Sequence, residues 1–139
     1  MVWLVKRKDG KKRRYVLRKV YYEEDVATRD SYLREVSLLI QLHQKNIISL
    51  YKIHKSPNTG TFYMLFQYYE SDLHTALRAN ILEDIHKKYI FYQLLVAMKY
   101  LHSANVIYNN LKPTNILLNK HCNIKLVDFI HALIEGENP

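Results

Sequence analysis

Two short segments in the last third of the chain carry the side chains with the most capacity for chemistry. The first runs Tyr108-Asn109-Asn110-Leu111-Lys112-Pro113-Thr114-Asn115, and Asp128-Phe129-Ile130 begins thirteen residues after Asn115. The carboxylate of Asp128 and the side-chain amide of Asn115 offer oxygen donors of the kind that suits Mg²⁺. A Gly-x-Ser-x-Gly nucleophile signature does not occur, and the histidines lack the spacing of a metal site. The two segments are therefore where the chemistry must be sought.

Composition limits the class of protein before any motif is interpreted. The chain has 139 residues, of which 48% are apolar and 24% charged, as expected for one soluble globular domain. Its single cysteine, Cys122, rules out an intrachain disulfide and favours a reducing compartment. No apolar run approaches a membrane span, and Lys6 interrupts the N-terminus too early for a secretion signal. We expect a cytoplasmic or nuclear protein with no membrane partner.

The basic charge of the chain is unevenly distributed. Lysine and arginine number 21 against 13 acidic residues, which gives a formal net charge of +8, and seven basic residues lie between Lys6 and Arg14. Such a cluster could bind nucleic acid, but Asp9-Gly10 at its centre favours a two-residue hairpin turn. No aromatic residue lies within the cluster to stack on bases. A solvated hairpin tip is favoured, and nucleic acid is not expected as a partner.

The elements that must position the two segments follow from hydrophobic periodicity. Residues 2–5 and 14–20 read as an antiparallel strand pair, residues 29–42 as a helix, and residues 46–53 and 61–66 as two further strands. Residues 72–78 favour a short helix and residues 83–102 a long one with a wide apolar face. Val106-Ile107 and a loop that contains Pro113 come next, followed by two short strands at 116–118 and 124–127. The order predicts an α+β fold.

This order resembles a protein kinase from its second strand to the start of its activation segment. The first segment is similar to the kinase catalytic loop, His-Arg-Asp-x-Lys-x-x-Asn, and the second to Asp-Phe-Gly. Further stretches resemble the mitogen-activated protein kinase group, especially its atypical extracellular-signal-regulated branch: Asn46-Ile47-Ile48-Ser49-Leu50, Ser71-Asp72-Leu73-His74, Tyr92-Gln93-Leu94-Leu95 and Tyr100-Leu101-His102-Ser103-Ala104-Asn105-Val106-Ile107. The resemblance implies one truncated kinase-like domain over 1–139. Residues 1–66 would form a partial N-lobe of antiparallel sheet plus one helix, 67–71 the hinge, and 72–139 the first part of a helical C-lobe.

The resemblance also implies roles for residues of the two segments. Asn115 and Asp128 match the Mg²⁺ ligands, and Lys112 matches the lysine that faces the transferred phosphate. Asn110 takes the place of the catalytic aspartate, and a carboxamide cannot accept a proton. Ile130 replaces the glycine of Asp-Phe-Gly and disfavours positive φ. Tyr108 and Asn109 stand where the family has histidine and arginine.

The resemblance implies a nucleotide site upstream of these segments. Glu35 matches the helix glutamate that pairs with a strand lysine in the family. Either Lys19 or Arg18 takes the lysine position, and because adjacent strand residues point to opposite faces only one can do so. We favour Arg18.

Four further residues match positions that contact the nucleoside in the family. The gatekeeper and hinge positions, which would bind adenine through backbone groups, and the ribose-binding position fall on Phe66, Gln67, Tyr68 and Asp72.

Two family features are not matched: the Gly-rich phosphate loop, which would precede Val2, and the rest of the activation segment after Ile130. Part of the apolar face of the long helix, along Ile90, Phe91, Leu94, Leu95 and Met98, should then be exposed to a protein partner. We expect a catalytically impaired, pseudokinase-like relative of Ser/Thr kinases that retains ATP and Mg²⁺ if binding persists. The alternatives are a weakly active kinase, a protein-interaction module in kinase signalling, and a fragment with no stable fold.

Overall fold

The computed structural model describes residues 1–6, 8, 13–21, 26–57 and 59–136, and the chain divides into two compact units. Unit 1 comprises residues 1–41 and 49–68, and unit 2 comprises residues 42–48 and 69–139. The predicted lobe and hinge bounds, 1–66, 67–71 and 72–139, stay a prediction.

Unit 1 is built on a four-stranded antiparallel sheet. Its strands are β1 (Val2–Lys6), β2 (Arg14–Tyr21), β3 (Leu50–Ser56) and β4 (Thr61–Gln67), in the spatial order β1-β2-β4-β3. The predicted pairing of the first two strands is confirmed, with Val2 opposite Arg18 and Lys6 opposite Arg14. The Asp9-Gly10 turn predicted between them lies outside the described residues.

One helix, α1 (Val26–Gln41), packs on a single face of this sheet and begins three residues before its predicted start. The ring of Tyr32 meets that of Phe62 edge-on with centroids 6.2 Å apart, and Leu38 and Leu39 are buried. Because directly opposed residues of antiparallel strands share a face, Phe62 and Met64 identify the covered side of β4. Burial of these side chains, with Val20, forms the core of unit 1.

The strand predicted over residues 46–53 is wrong at its start, because β3 begins only at Leu50. Residues 42–48 belong to unit 2, where Ile47 forms a parallel bridge to Leu126 and the amide of Ile48 donates to the Leu126 carbonyl at 2.9 Å. The alternating pattern of this stretch therefore combines residues of two different packing environments. Local periodicity cannot separate them, because it records burial and not the partner.

Unit 2 holds the two chemical segments between short strands and two helices. The helices are α2 (Leu73–Arg78) and α3 (Asp84–Ser103). Strands β5 (Ser71–Asp72), β7 (Ile116–Leu118) and β8 (Ile124–Leu126) form one antiparallel sheet, and β6 (Val106–Ile107) pairs with β9 (Leu133–Ile134). A 3-10 helix covers Pro113–Asn115. The pairing of β6 with β9, which follows the Asp128-Phe129 segment, had no counterpart among the predicted strands.

Polar residues set the ends of both helices. Asp72 caps α2 by accepting from the Thr75 amide at 2.8 Å, and Glu83 with His86 forms a capping box at the start of α3. Asn80 and Asn105 follow the two helices with φ of 52° and 55°. Asparagine tolerates this left-handed conformation better than most residues, which favours termination at these points.

Two buried carboxamides tie α3 to the segment that precedes the site. The Asn46 amide donates to Gln93 Oε1 at 3.0 Å and to the Ile124 carbonyl at 3.2 Å. Gln93 accepts from the Ile124 amide at 3.2 Å and donates to the Cys122 carbonyl at 2.8 Å. The position of β8 is therefore fixed by hydrogen bonds to side chains as well as by its pairing with β7.

The apolar face of α3 is only partly covered. Ile90 and Leu101 are buried, whereas Phe91 and Leu95 are 59% and 53% exposed, as the sequence predicts for part of this face. Within the described ranges, no helix combines the length and the apolar character that crossing a membrane requires.

Replacing Gln93 by alanine should destabilise unit 2. The substitution leaves the Ile124 amide and the Cys122 carbonyl without their side-chain partner in a buried setting, so we expect a loss of about 2–3 kcal/mol in the free energy of unfolding. Urea denaturation followed by circular dichroism measures it. Gln41→Ala, at an exposed position of α1, is the matched control and should change the value little. Equal losses in the two variants would contradict a structural role for the buried network.

Candidate functional site

Tyr108 joins the two chemical segments of unit 2. It follows β6 directly and is 1% exposed, and its hydroxyl donates to the backbone carbonyl of Val127. Its ring meets that of the fully buried Phe129 at a centroid distance of 5.0 Å and an angle of 64°. The hydrogen bond and the ring contact hold the catalytic-loop-like segment against the segment that contains Asp128.

The polar side chains of the two segments form a connected set. Asn110 Nδ2 donates to Asp128 Oδ2 at 2.9 Å, and Asn115 Nδ2 donates to the Asn110 carbonyl at 3.0 Å. The Val127 amide in turn donates to the Asn115 carbonyl at 3.1 Å. The structure thus brings together Asn110, Asn115 and Asp128, which the sequence placed up to eighteen residues apart.

The chemistry of this set differs from that of a carboxylate pair. Asn110 acts as a hydrogen-bond donor to Asp128, a role that an ionised aspartate cannot take because it carries no proton to donate. A second carboxylate at this position would face Asp128 with like charge. Asn110 therefore stabilises the Asp128 side chain, but it has no group that accepts a proton from an attacking hydroxyl.

The oxygen donors of this set fit Mg²⁺. Asp128 accepts the hydrogen bond from Asn110 with Oδ2, and Asp128 Oδ1 is its second carboxylate oxygen. Asn115 donates through its side-chain nitrogen, and Asn115 Oδ1 is its acceptor atom. Among the residues that the structure describes, no group of three or more His, Cys, Asp or Glu side chains could form a metal site. A magnesium ion held here would need water or phosphate oxygens to complete its octahedral shell.

Two left-handed backbone positions shape the segments. Asn109 has φ 56° and Asp128 has φ 63°, and asparagine and aspartate are the non-glycine residues that adopt this region most readily. Ile130 is not among the residues with positive φ. The φ penalty that the sequence suggested for an isoleucine at position 130 is therefore not incurred in this conformation, because the turn is made at Asp128.

Lys112 lies beside this set on the surface. Its side chain is exposed, and its backbone carbonyl accepts from the Asn115 amide at 2.9 Å at the start of the 3-10 helix. An exposed ammonium can move toward an anion without losing a buried partner. Its role toward a transferred phosphate stays a prediction.

Unit 1 distinguishes the two candidates for the strand-lysine position. Arg18 points to the α1 face of the sheet and its guanidinium forms an ion pair with the buried carboxylate of Glu35. Lys19 points to the opposite face, where its ammonium lies 4.6 Å from the centre of the Tyr21 ring. The geometry that the family gives to a lysine and a glutamate is thus made by Arg18 and Glu35, as favoured above, whereas their part in nucleotide binding stays a prediction.

The surroundings of Arg18 are largely apolar. Its guanidinium carbon is 5.4 Å from the Phe66 ring centroid and 5.9 Å from that of Tyr32. Its Nε is buried without a hydrogen-bond partner, so the group retains an unsatisfied donor. A planar guanidinium with several donors is well suited to phosphate oxygens.

The remaining predicted nucleoside residues lie at the end of β4 and the start of α2. Phe66 is buried, and Gln67, opposite Tyr15, is the last residue of β4. The Tyr68 ring lies under the Arg14 guanidinium at 4.4 Å. Asp72 accepts from Thr75 with both carboxylate oxygens, at 2.8 Å and 3.0 Å, so its observed role is helix capping. Binding of adenine or ribose by these residues stays a prediction.

Sequence reasoning missed Lys125, a buried cation in β8, the strand that leads into the Asp128 segment. It is 9% exposed, and its Nζ donates to the Ile47 carbonyl at 3.1 Å. Burial lowers the pKa of Lys125 below its ordinary value of 10.5. The sequence shows a lone lysine between the apolar residues Ile124 and Leu126. By itself this pattern predicts a lysine on the solvated face of a strand.

Known proteins similar to this chain are protein kinases. The family model of the protein kinase domain matches residues 2–137. The chain is 50% identical over 97 residues to extracellular signal-regulated kinase 2 of Dictyostelium discoideum, an alignment that covers 69% of this chain and 26% of that protein. It is 39% identical over 116 residues to extracellular signal-regulated kinase 7 of Drosophila melanogaster, covering 81% and 13% of the two chains. It is 43% identical over 98 residues to mitogen-activated protein kinase 15 of Caenorhabditis elegans, covering 69% and 21%. The aligned part of the chain spans about a quarter or less of the length of each of these relatives.

Removing the Tyr108 hydroxyl should weaken the junction between the two segments. Tyr108→Phe keeps the ring contact with Phe129 but leaves the Val127 carbonyl without this donor, so we expect a loss of about 1–2 kcal/mol in the free energy of unfolding. Urea denaturation measures it. Tyr92→Phe, at a residue that is 61% exposed, is the control and should be close to neutral. A loss in Tyr108→Phe no larger than in the control would contradict the proposed link.

The buried Lys125 should make the free energy of unfolding rise with pH in the alkaline range. Its lowered pKa means that the folded protein loses the Lys125 proton before the unfolded chain does, so the unfolded state binds more protons between the lowered pKa and 10.5. The cost of burying the charge is present below this window and is relieved as pH rises through it. Unfolding free energies measured across the alkaline range should increase for the wild type relative to Lys125→Met. A difference between the two proteins that does not vary with pH would contradict the assignment.

Proposed function

The chain belongs to the protein kinase family, and from that premise we propose that it binds ATP together with Mg²⁺ but is impaired in phosphoryl transfer. The protein-kinase-like α+β fold expected from the sequence is confirmed, and the similar proteins are mitogen-activated protein kinases. Since the aligned part of the chain spans only part of those proteins, their activity and substrates come to this chain as proposals. The observation that carries the proposal is the hydrogen bond from Asn110 Nδ2 to Asp128 Oδ2 at 2.9 Å.

The hydrogen bond from Asn110 to Asp128 bears differently on metal binding and on proton transfer. Phosphoryl transfer needs the phosphates positioned, their charge neutralised by metal and the acceptor hydroxyl deprotonated. Asp128 and Asn115 retain oxygen donors for Mg²⁺, and Asn110 holds the Asp128 carboxylate in place. Because Asn110 cannot accept a proton, the step that suffers is activation of the acceptor. General-base catalysis typically contributes about 10²–10⁴-fold to a rate.

In unit 1, the Arg18–Glu35 pair supports the phosphate part of the proposal. Glu35 orients the guanidinium, and Arg18 Nε has no hydrogen-bond partner. Arginine binds phosphate oxygens through a planar fork where lysine offers a point charge, so the substitution preserves charge while changing the geometry of the contact. Within unit 2, the exposed Lys112 would supply the cation that faces the transferred phosphate beside Asn115 and Asp128.

A second candidate function is that of a protein-interaction module in kinase signalling. The exposed side chains of Phe91 and Leu95 on α3 favour it, because an uncovered apolar face on a folded unit is a common site of association. This function does not require ATP. The two candidates are therefore distinguished by whether nucleotide changes the stability of the protein.

Thermal unfolding with and without Mg²⁺-ATP tests the binding proposal. Ligand that binds only the folded state stabilises it by about 2.7 kcal/mol at 100 times its Kd, so we expect the midpoint to rise in the wild type. Asp128→Ala should abolish the Mg²⁺-dependent part of the rise, whereas Asp84→Ala, an exposed acid on α3, should preserve it. A midpoint that does not move in the wild type would contradict nucleotide binding and leave the interaction module.

Transfer of radiolabelled phosphate to a protein acceptor tests the impairment. We expect the wild type to match the Lys112→Ala, Asp128→Ala double variant, and Asn110→Asp to raise transfer by up to about 10²–10⁴-fold if the base is the main deficiency. Wild-type transfer above the double variant but far below Asn110→Asp would establish a weakly active kinase, whereas wild-type transfer equal to that of Asn110→Asp would refute the proposed impairment.

A further inference from the structure

The two faces of the unit 1 sheet are chemically different. Arg18, Phe62 and Met64 point to the face that α1 covers, through the Arg18–Glu35 pair and the contact of Tyr32 with Phe62. The opposite side, which we call the outer face, carries the intervening residues of each strand. Among the described residues of unit 1, α1 is the one helix, so no helix of this unit covers the outer face.

Strand register brings aromatic and basic residues together on the outer face. Trp3 lies opposite Leu17, Tyr15 opposite Gln67, and Lys19 opposite Tyr63, and a bulge next to Leu50 turns Tyr51 toward Tyr15, where the two rings meet edge-on at 5.6 Å. The aromatic and basic side chains of the outer face are Trp3, Tyr15, Lys19, Tyr21, Tyr51, Lys52, His54 and Tyr63. They come from all four strands.

Several of the rings are open to solvent. Trp3 is 39% exposed, Tyr21 44% and Tyr51 54%. Exposed aromatic rings on a sheet offer flat surfaces on which planar ligands can stack, and stacking on nucleic-acid bases is tolerant of sequence because every base has a π-face.

Cations lie among these rings. The Lys19 ammonium lies 4.6 Å from the Tyr21 ring centroid and 5.9 Å from that of Tyr63, and Lys52 and His54 follow on the exposed edge strand β3. A hydrogen bond with Tyr21 is the main cause that raises the pKa of Lys19 above its ordinary value of 10.5, and the ammonium is charged at neutral pH with or without this rise. Alternation of rings and cations at this spacing suits a chain that alternates bases and phosphates.

The net charge of the chain resides almost entirely in unit 1. Residues 1–41 and 49–68 contain 13 Lys and Arg against 6 Asp and Glu, whereas unit 2 contains 8 against 7. A polyanion would therefore be attracted to unit 1 and much less to unit 2. Seven of these 13 basic residues lie between Lys6 and Arg14. The charge therefore attracts a polyanion to unit 1 as a whole, and the exposed rings identify the outer face within that unit.

We propose that the outer face of the unit 1 sheet binds single-stranded nucleic acid, with bases stacked on Trp3, Tyr21 and Tyr51 and phosphates paired with Lys19 and Lys52. Open antiparallel sheets with exposed aromatics bind single strands in this manner, because unpaired bases can splay onto the rings. The sequence had argued against nucleic acid because residues 6–14 contain no aromatic. That argument does not apply to the outer face. Its aromatic residues are distant from one another in sequence, and strand pairing brings them together.

Trp3 provides a direct reporter, because it is the only tryptophan of the chain. The full chain is titrated with oligouridine and oligothymidine of about 12 nucleotides while tryptophan fluorescence and fluorescence anisotropy of a labelled oligomer are followed. We expect saturable binding with quenching of Trp3. Unchanged Trp3 fluorescence at saturation would overturn the proposed face. The ratio of the RNA and DNA affinities identifies the preferred sugar, and saturable quenching by either supports the proposal.

Matched variants separate stacking from general attraction. Tyr51→Ala should weaken binding by about 5- to 100-fold, as expected for the loss of one base-stacking ring, whereas Tyr92→Ala, an equally exposed tyrosine on α3, should not. Lys52→Gln should lower the slope of log affinity against log salt by about 0.7, and Lys87→Gln in unit 2 should leave it unchanged. Equal affinities of the Tyr51→Ala and Tyr92→Ala proteins would refute stacking.

Competition identifies the class of ligand. Double-stranded DNA and polyglutamate carry charge but cannot place bases on the rings, so both should displace the labelled single strand less effectively at equal charge. Displacement by polyglutamate as strong as by the unlabelled single strand would assign the outer face to acidic protein segments and overturn the proposal. Circular dichroism of each variant confirms that it is folded before affinities are compared.

Discussion

The hydrogen bonds between two buried carboxamides, Asn46 and Gln93, are the constraint on which the site of unit 2 depends. Both side chains are nearly inaccessible to solvent, yet each is paired with backbone of the β7–β8 hairpin or its turn as well as with the other. In a medium of low dielectric an unmet amide is costly, so the pairing admits few alternative arrangements. It fixes β8, and β8 leads directly into Val127 and Asp128.

The replaced residues of the catalytic-loop-like segment form a self-consistent structure. Tyr108 holds the Val127 carbonyl and packs on Phe129, Asn109 occupies a left-handed position that asparagine tolerates, and Asn110 donates to Asp128. Each substitution is therefore compatible with a folded loop. Under the proposed function, the group that is lost is one that catalysis would use and folding does not need, so the architecture of a kinase loop can persist without it.

The two faces of the unit 1 sheet place its charged residues in different surroundings. On the α1 face, the Arg18 guanidinium is held by a buried carboxylate and surrounded by rings and apolar side chains. On the outer face the cations lie among exposed tyrosines. Because side chains of a strand alternate between faces, the adjacent residues Arg18 and Lys19 belong to different chemical environments although they differ by one position in the sequence. The nucleotide proposal and the nucleic-acid proposal consequently depend on different residues and can fail separately.

The sequence by itself determined the helices, most strands, and the identity of the two chemical segments. Helix limits were predicted from hydrophobic period to within three residues. The structure shows local caps near those limits, such as Asp72 and Asn105. Motif order was enough to place Asn110, Lys112, Asn115 and Asp128 in one family pattern. The sequence could not determine the properties that depend on a residue distant in the chain. Residues 46–48 alternate like a strand of unit 1 but pack in unit 2. Lys125 has the sequence pattern of a surface lysine but is buried and donates to the Ile47 carbonyl. The choice between Arg18 and Lys19 required the position of Glu35. The tertiary structure decided these three features because burial and hydrogen bonding depend on which distant segments come into contact. A local sequence pattern indicates only that a residue is buried, and not which segment buries it.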